Sequence, residues 1–226
     1  MILTHAHVRV WIQNYRDLIA DNVDELNKLD AAAGDGDFGA SMQRGLDAAV
    51  AAIEPLDTDS IGKLLRTVGM TLVSSMGGTS GPLVGTLFTK MGATLGDTGE
   101  THTANLAAAF RAGAEGVMAL GQAEPGDKTM IDSLLPSVDT MEAVIGGEHT
   151  LQSMLADAAD AARSGAEHTK VLSARKGRAS YVGGGGVGCV DPGAAGMSYM
   201  FIAFVDAVGE GRMNPGVTQP TRGGRS

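Results

Sequence analysis

The sequence predicts an all-α fold, built as a bundle of eight helices. Apolar residues recur at spacings of three and four through eight separate segments, whereas the strict alternation typical of half-buried strands is nearly absent. The chain has 226 residues and 33 glycines, and those glycines fall mainly between the periodic segments, where they favour turns. A chain of this length is large enough for one domain, or at most two.

The eight helices can be placed in order along the chain. The first extends to about residue 29, with Thr4 as its candidate N-cap. The second follows Gly39 and ends near Pro55, because a proline disfavours helical geometry in the residue before it. The third is capped by Asp59 or Ser60. The remaining five are expected over about residues 83–95, 104–120, 129–145, 149–172 and 194–208.

The connections after the odd-numbered helices differ from the others. They cover residues 34–39, 77–82, 121–128 and 174–193, and they are rich in glycine and carry Asp, Ser, Lys and Arg. In an up-and-down antiparallel bundle, all odd-numbered connections lie at the same end. We therefore expect these four loops to converge on one rim of the bundle.

Charge and composition exclude several classes of function. A formal net charge of −9 argues against a nucleic-acid partner, because an acidic chain is repelled by phosphates. No stretch approaches the roughly 18–20 apolar residues of a membrane span, and the N-terminal residues lack the apolar core of a signal peptide. The single cysteine, Cys189, excludes an intrachain disulfide framework and fits a reducing compartment. We therefore expect a cytoplasmic protein with neither a membrane nor a nucleic-acid partner.

The folded domain is expected over residues 1–208. Residues 209–226 mix Gly, Arg, Thr, Ser and Pro without an apolar face. Such a segment cannot bury enough apolar surface to fold, so it is predicted to be a disordered C-terminal tail.

Three carboxylates, those of Asp30, Asp35 and Asp37, lie within eight residues and are separated by glycine. Without a cation between them they would repel one another, and hard oxygen ligands suit Mg²⁺. Together with a nucleotide polyphosphate they carry about six or seven negative charges, which favours two Mg²⁺ ions. A solvated acidic turn is the alternative. Two other motifs that match this segment are rejected. The string G-x-G-x-x-G of a dinucleotide-binding fold should follow a strand, but here a predicted helix precedes it. The segment begins like an EF-hand calcium loop, but it has no terminal Glu.

Two further loops could bind phosphate. Residues 77–82 (GGTSGP) end at a predicted helix start, where free amides and the positive end of the helix favour an anion. Residues 174–181 (ARKGRASY) place three cations beside a glycine in an otherwise acidic chain, and arginine suits bidentate phosphate contact. The alternatives are that residues 77–82 form a common Gly-Ser turn before a helix, and that residues 174–181 form a solvated basic face. The chain contains no G-x-x-x-x-G-K-[ST] string, so a P-loop is excluded.

Taken together, these loops resemble the nucleotide-binding L subunit, or L domain, of the dihydroxyacetone kinase family. The resemblance extends over nearly the whole chain, up to about residue 208, in five ordered segments. These are Leu29-Asp30 with Gly34-Asp35-Gly36-Asp37, Gly69-Met70-Thr71-Leu72 with Ser80-Gly81-Pro82, residues 123–129 (AEPGDKT), residues 174–181, and Asp191-Pro192-Gly193.

The resemblance implies a closed barrel of eight antiparallel amphipathic helices with the nucleotide site at one rim, in agreement with the helix count. It implies two Mg²⁺ ions held by Asp30, Asp35 and Asp37 beside ATP or ADP, with Arg178 steadying the transferring charge. Many members of the family carry His where this chain has Phe38, so a contact there is expected from the backbone. The other implied nucleotide contacts are Gly39, Ala40, Ser41, Gly78, Thr79 and Ser80 on the phosphate side, Gly121 and Met130 near the adenine, and Asp191, Pro192 and Gly193, which with Arg178 close the site.

The implied activity is phosphoryl transfer to dihydroxyacetone or a related small ketose, which this family holds on a separate K subunit. The donor is either exchanging ATP or a retained ADP that a phosphotransferase-system partner rephosphorylates, and the sequence leaves both open. Two alternatives remain. One is the nucleotide domain of a fatty-acid kinase, which typically shows Pro-Asp-Gly-Asp-Thr-Gly where this chain has residues 33–39 (AGDGDFG). The other is a non-catalytic nucleotide-sensing regulator or adaptor.

Overall fold

The structure, a computed structural model, describes residues 2–32, 34–181 and 183–209. Over these residues the predicted all-α class is confirmed. Nine α-helices account for most of the described chain, and none of them is long and apolar enough to cross a membrane. They are α1 His5–Asp21, α2 Val23–Ala31, α3 Phe38–Ile53, α4 Ile61–Ser75, α5 Ser80–Leu95, α6 Thr103–Gly121, α7 Ile131–Ala143, α8 Leu151–His168 and α9 Pro192–Val208. The predicted tail lies outside the described residues, apart from Gly209.

Nine helices replace the predicted eight because the first is divided at Asn22. The Asn22 backbone leaves helical geometry at φ −119°, ψ 17°. Its side-chain amide donates to the Leu18 carbonyl over 2.7 Å. An asparagine side chain that bonds to nearby backbone competes with the helix in this way. The apolar periodicity continues across the break, which is why the sequence pattern predicted one helix.

Two predicted caps are confirmed, and several helix ends differ from the prediction. The Thr4 hydroxyl accepts from the His7 amide over 3.4 Å, and the Ser60 hydroxyl accepts from the Lys63 amide over 3.0 Å. Helix α5 begins at Ser80, three residues before the prediction. Helix α8 ends at His168 and passes into a 3-10 helix over Thr169–Val171, so the predicted helix to residue 172 was too long. A second 3-10 helix covers Arg178–Tyr181.

A small antiparallel sheet, which the sequence did not predict, lies at one end of the bundle. Strands β1 (Leu3–Thr4) and β2 (Glu100–Thr101) pair Leu3 with Thr101. The Ile61 amide donates to the Thr98 carbonyl over 2.8 Å, so the starts of α1 and α4 and the α5–α6 connection all meet here. Strands of two residues are too short to show alternation.

From α3 onward each helix packs against its successor, and the last helix packs against the first. In packing order the helices run α1, α3, α4, α5, α6, α7, α8, α9 and back to α1, with α2 lying against α3 and α9. An aromatic cluster fills part of the core. Trp11 stacks on Phe204 at a centroid distance of 4.0 Å and lies beside Phe88 and Phe110. The Trp11 indole N–H donates to the Met200 carbonyl over 2.9 Å, which satisfies the polar atom of this buried ring.

Helices α4 and α5 approach each other closely through glycine. A Cβ added at Gly62, near the start of α4, would lie 2.2 Å from the carbonyl oxygen of Gly96, just after α5. One added at Gly69 would lie 2.6 Å from the Gly85 carbonyl. These contacts join the start of one helix to the end of the other, so the pair is antiparallel. The close approach requires glycine at these positions, because backbone atoms cannot move aside cheaply.

Candidate functional site

The three aspartates of the predicted metal site come together in space. Asp30 lies in the last turn of α2, Asp35 in the connection that follows, and Asp37 is the residue before α3. Each offers a carboxylate oxygen, and the three oxygens lie within 4.8 Å of one another. Asp35 and Asp37 are exposed, and Asp30 is partly buried. Three acceptors at this separation form a concentration of negative charge that suits a hard divalent cation.

Asp30 also shapes the turn that carries the other two. Its Oδ2 accepts hydrogen bonds from the amides of Asp37 at 3.0 Å and Phe38 at 3.2 Å. These are amides at the start of α3, where donors have no partner within the helix. The carboxylate at the end of α2 therefore holds the start of α3 beside itself, and the chain between them turns back at Gly36, which has φ +76°.

Arg178, predicted to steady phosphate charge, forms an ion pair with Asp35. Both side chains remain about half exposed, 59% for Arg178 and 47% for Asp35. The bond to Arg178 lowers the pKa of Asp35, and the same contact raises the pKa of Arg178. We define the basic loop as the described residues 172–181 and 183–190, and the acidic turn as the segment that carries Asp30, Asp35 and Asp37. The ion pair joins these two segments across a long separation in sequence.

The first residues of α3 contact neighbouring segments. Phe38 is buried, and its ring lies against Gly196 of α9. A Cβ at Gly39 would lie 2.4 Å from the Val23 carbonyl, so Gly39 allows α3 to pack on α2. The Ala40 amide donates to Asn27 Oδ1 over 3.2 Å. The amides of Phe38 and Ala40 therefore bond within the chain, and the predicted nucleotide contacts of residues 38–41 stay a prediction.

Ser41 joins the acidic turn to the next predicted phosphate loop. Its hydroxyl oxygen accepts from the Gly77 amide over 3.0 Å and from the Arg44 guanidinium over 3.3 Å. Gly78 follows with φ +66°, and a side chain there would meet no atom within 4 Å. Thr79, the residue before α5, makes no side-chain cap to that helix. Among the described residues, the start of α5 thus presents backbone donors without a side-chain acceptor.

The predicted adenine-side and closing residues form a second group. Met130, just before α7, is buried, and a Cβ at Gly193 would lie 3.3 Å from the Met130 Cβ. Asp191 caps α9, because its Oδ2 accepts from the Ala194 amide over 2.7 Å, and Pro192 is the first residue of that helix. Gly121, the last residue of α6, lies beside Leu83 of α5. The contact of Gly193 with Met130 joins the start of α9 to the connection before α7, and the contact of Gly121 with Leu83 joins the end of α6 to the start of α5.

Sequence reasoning missed two polar residues that build this region. Asn27 holds the Ala40 amide, and Arg44 bridges the Ser41 hydroxyl and the Ser75 carbonyl at 3.2 Å. Helical spacing could have indicated Asn27, because it lies three residues before Asp30 and so shares a face of α2. For Arg44 the sequence offers no comparable indication.

A groove of about 750 Å³ lies between α7 and α8. Ile131, Leu135 and Ala161 are among its lining residues, together with Asp132 and His168. None of the predicted site residues lines it, although Pro125 and Gly126 belong to the connection before α7 that was predicted to lie on the site's rim.

Comparison with known proteins places these features in context. Residues 32–206 match the DAK2 domain family. The chain is 36% identical over 200 residues to the "PEP-dependent dihydroxyacetone kinase, ADP-binding subunit DhaL" of Escherichia coli K12, covering 88% of this chain and 95% of that protein. It is 37% identical over 194 residues to the D-erythrulose kinase of Mycolicibacterium smegmatis, covering 85% of this chain but only 33% of that longer protein.

A solved structure shares the fold. The dihydroxyacetone kinase of C. freundii, crystallised in complex with AMP-PNP and Mg²⁺, superposes with a TM-score of 0.69 at 28% identity. The match covers 88% of this chain and 33% of that one. This chain thus spans about a third of the two longer relatives and nearly all of the separate ADP-binding subunit.

Proposed function

The chain belongs to the DAK2 domain family, and on that premise we propose that it is the Mg-nucleotide-binding subunit of a dihydroxyacetone-type kinase. It would transfer a phosphoryl group from a bound nucleotide to dihydroxyacetone or a related small ketose held on a separate sugar-binding K subunit. The observation that carries the proposal is the cluster of Asp30, Asp35 and Asp37, whose oxygens lie within 4.8 Å of one another at a turn beside Arg178.

The relatives support the nucleotide-binding role. The chain covers 95% of a relative named as an ADP-binding subunit of a dihydroxyacetone kinase, and it covers about a third of two longer kinases. The ring of packed helices supports the further proposal that the domain is a closed barrel, formed by α1 and α3–α9, with the nucleotide at the rim where the acidic turn lies.

The donor set fits Mg²⁺. Carboxylate oxygens are the ligands this ion prefers, and the exposure of Asp35 and Asp37 leaves room for water and phosphate oxygens in the rest of its shell. Two Mg²⁺ ions held by the three aspartates would neutralise phosphate charge and fix the in-line geometry of transfer.

The chain's own groups would bind and orient the nucleotide. The amides at the start of α5, around Gly78, Thr79 and Ser80, lie at the positive end of that helix and can donate to phosphate oxygens. Arg178, exposed beside Asp35, can extend its guanidinium to the transferring phosphoryl group, since an arginine forms charge-assisted bonds with phosphate. Catalysis would then rest on positioning and electrostatics.

Calorimetry of Mg-ADP binding tests the metal assignment. The Asp35→Ala variant should lose measurable binding, because it removes a ligand oxygen and the partner of Arg178 from an exposed position. Asp47→Ala is the matched control, since it removes an exposed aspartate on α3 that pairs with Arg16 instead. Unchanged affinity in Asp35→Ala would overturn the assignment.

Reconstitution with a sugar-binding subunit tests the reaction and separates the two donors. With ATP alone, a nucleotide that exchanges in each turnover supports continued formation of the ketose phosphate. A retained ADP supports it only when phosphotransferase-system components are added. No product under either condition would contradict the proposed activity.

A further inference from the structure

Lys128 is a buried lysine that the proposed reaction does not use directly. Its side chain is 3% exposed, and its backbone has φ +61°, which is uncommon for a residue with a side chain. The ammonium donates to two backbone carbonyls, that of Thr169 at 2.5 Å and that of Cys189 at 2.6 Å. Burying an ammonium and holding a left-handed backbone both cost free energy, so the surrounding structure must fix this residue in place.

The two carbonyls lie at the two ends of the basic loop. Thr169 belongs to the short helix before it, and Cys189 is near its last residue. The chain also closes on itself here, because the Gly188 amide donates to the Lys170 carbonyl over 2.7 Å and the Asp191 amide to the Thr169 hydroxyl over 2.8 Å. Lys128 comes from a third segment, before α7, and its single ammonium ties both ends of the loop to that segment.

The segment that carries Lys128 is itself held firmly. Asp132, in the first turn of α7, accepts from the Gly126 amide at 2.5 Å and from the Thr129 amide at 2.7 Å. The Asp127 carboxylate accepts from the Glu124 amide at 2.9 Å. Lys128 therefore projects from a connection whose backbone amides are bonded on both sides of it, which makes it a rigid anchor.

The same segment contacts the basic loop a second time, closer to the proposed site. The Arg175 amide donates to the Asp127 carbonyl over 3.1 Å, and the Arg175 guanidinium lies 3.6 Å from the Asp127 carboxylate. Arg178, three residues further on, pairs with Asp35. From base to tip, the loop is thus attached at Lys128, then at Asp127, and then at the acidic turn.

We propose that Lys128 is a positioning residue, which pins the base of the basic loop so that Arg178 is held over the acidic turn. This inference rests on the proposed function, because it assigns Lys128 an effect on nucleotide binding through Arg178. The proposal gives Lys128 no contact of its own with nucleotide or metal, because its ammonium bonds to the carbonyls of Thr169 and Cys189. Its ammonium acts on the loop backbone, and the loop presents the guanidinium.

A double-mutant cycle on Mg-ADP affinity tests the inference. Lys128→Met removes the ammonium and keeps an unbranched side chain of similar length. We expect it to weaken binding about tenfold, and we expect Arg178→Ala to weaken binding at least as much. The double variant should bind no more weakly than Arg178→Ala alone, because Lys128 acts only through Arg178. Lys170→Met is the matched control and should bind as the wild type does. Lys170 lies at the same base of the loop, and its exposed side chain pairs with Glu167. The substitution keeps the bond from the Gly188 amide to the backbone carbonyl of residue 170.

Several outcomes would overturn the inference. Losses that add in the double variant would show that Lys128 acts independently of Arg178, and an unchanged affinity in Lys128→Met would show that it does not act at all. If Arg178→Ala binds like the wild type while Asp35→Ala does not bind, the inference fails and the metal assignment stands. If the wild type does not bind Mg-ADP, the proposed function fails, and the inference fails with it.

Amide hydrogen exchange tests whether the base of the basic loop is held closed, and it does not rely on the folding of the Lys128→Met variant. In the nucleotide-free wild type, the amides of Gly188 and Asp191 should exchange slowly, and Arg178→Ala should leave them equally slow, because the base is closed by Lys128 and backbone bonds. Fast exchange at the loop base in the wild type would contradict a pinned loop. So would protection that disappears in Arg178→Ala.

Discussion

At the scale of single residues, the three site aspartates have different tasks. Asp30 bonds to the amides of Asp37 and Phe38 and so fixes the turn, whereas Asp35 contacts Arg178 and is free of such a backbone role in the described structure. Replacing Asp30 would therefore alter both the turn and the ligand set. Replacing Asp35 keeps the bonds that fix the turn and removes a ligand oxygen together with the partner of Arg178, which is why Asp35 is the better residue on which to test the metal assignment.

The sequence identified these residues but not their tasks. Carboxylates separated by glycine within eight residues indicate a cation site, because the pattern depends on composition and spacing alone. The bonds of Asp30 depend on where α2 ends and α3 begins, and those of Lys128 on segments about 40 and 60 residues away. Contacts of that range arise from the packing of the whole bundle, so no local pattern reports them.

Asp191 makes a residue-scale prediction about pH. Burial raises its pKa to about 7, although the Ala194 amide and the Lys128 ammonium both favour the charged form. In the unfolded chain an aspartate has a pKa of about 3.9. Between these values the native state binds more protons than the unfolded state, so stability falls as the pH rises from about 4 to about 7.

The Asp191→Asn variant removes this dependence while keeping an equally good N-cap on α9. Between pH 5 and pH 8 its free energy of unfolding should fall by about 1–3 kcal/mol less than that of the wild type. Urea unfolding at fixed pH values measures the difference. Around pH 3 the two proteins should agree, because Asp191 is then protonated in both the native and the unfolded state, and a protonated aspartate resembles an asparagine. Curves that stay parallel up to pH 8 would contradict a raised pKa.

At the scale of elements, periodicity predicted the helices well but not their ends. Eight apolar repeats corresponded to helices, because burial of one face dominates helix placement. The break at Asn22 and the early start of α5 at Ser80 depend on individual side-chain and backbone bonds, which the repeat does not contain. Glycine has a low helix propensity, and the close contact of the two helices explains the glycines inside α4 and α5.

The α4–α5 contact predicts a large cost for one methyl group. In Gly62→Ala the new Cβ would lie 2.2 Å from the Gly96 carbonyl oxygen and 2.6 Å from the Gly92 carbonyl oxygen, so the helices must separate. We expect a loss of about 3 kcal/mol in the free energy of unfolding, since crowded backbone cannot relax cheaply. Urea unfolding measures it.

Gly196→Ala is the control for this experiment. It also places alanine inside a helix, but its Cβ would lie 3.4 Å and 3.5 Å from the Phe38 ring, at ordinary contact distance. Helix propensity should then raise stability by about 0.5–1 kcal/mol. Equal effects at the two positions would mean that α4 and α5 do not approach as closely as the structure shows.

At the scale of the whole molecule, topology assembles the candidate site. The connections after α2, α4, α6 and α8 are distant in sequence, yet Ser41 bonds to Gly77, Asp35 pairs with Arg178, and Asp127 contacts Arg175. An alternating bundle places such connections at one end, and this much followed from counting helices. The opposite end carries the short sheet and no predicted site residue.

Because the site joins several connections, occupying it should stabilise the whole fold. A ligand present at about 100 times its Kd adds about 2.7 kcal/mol to the free energy of unfolding, which for a chain of this size corresponds to a rise in Tm of roughly 5–10 °C. We expect that rise with Mg²⁺ and ADP together, and none with ADP in EDTA, since the three carboxylates would then repel the phosphates.

Asp35→Ala should lack the rise. Gly62→Ala should show it from a lower starting Tm, because its defect lies away from the acidic turn. A full rise in EDTA would mean that the nucleotide binds without the metal, and that the acidic turn is not where its phosphates lie.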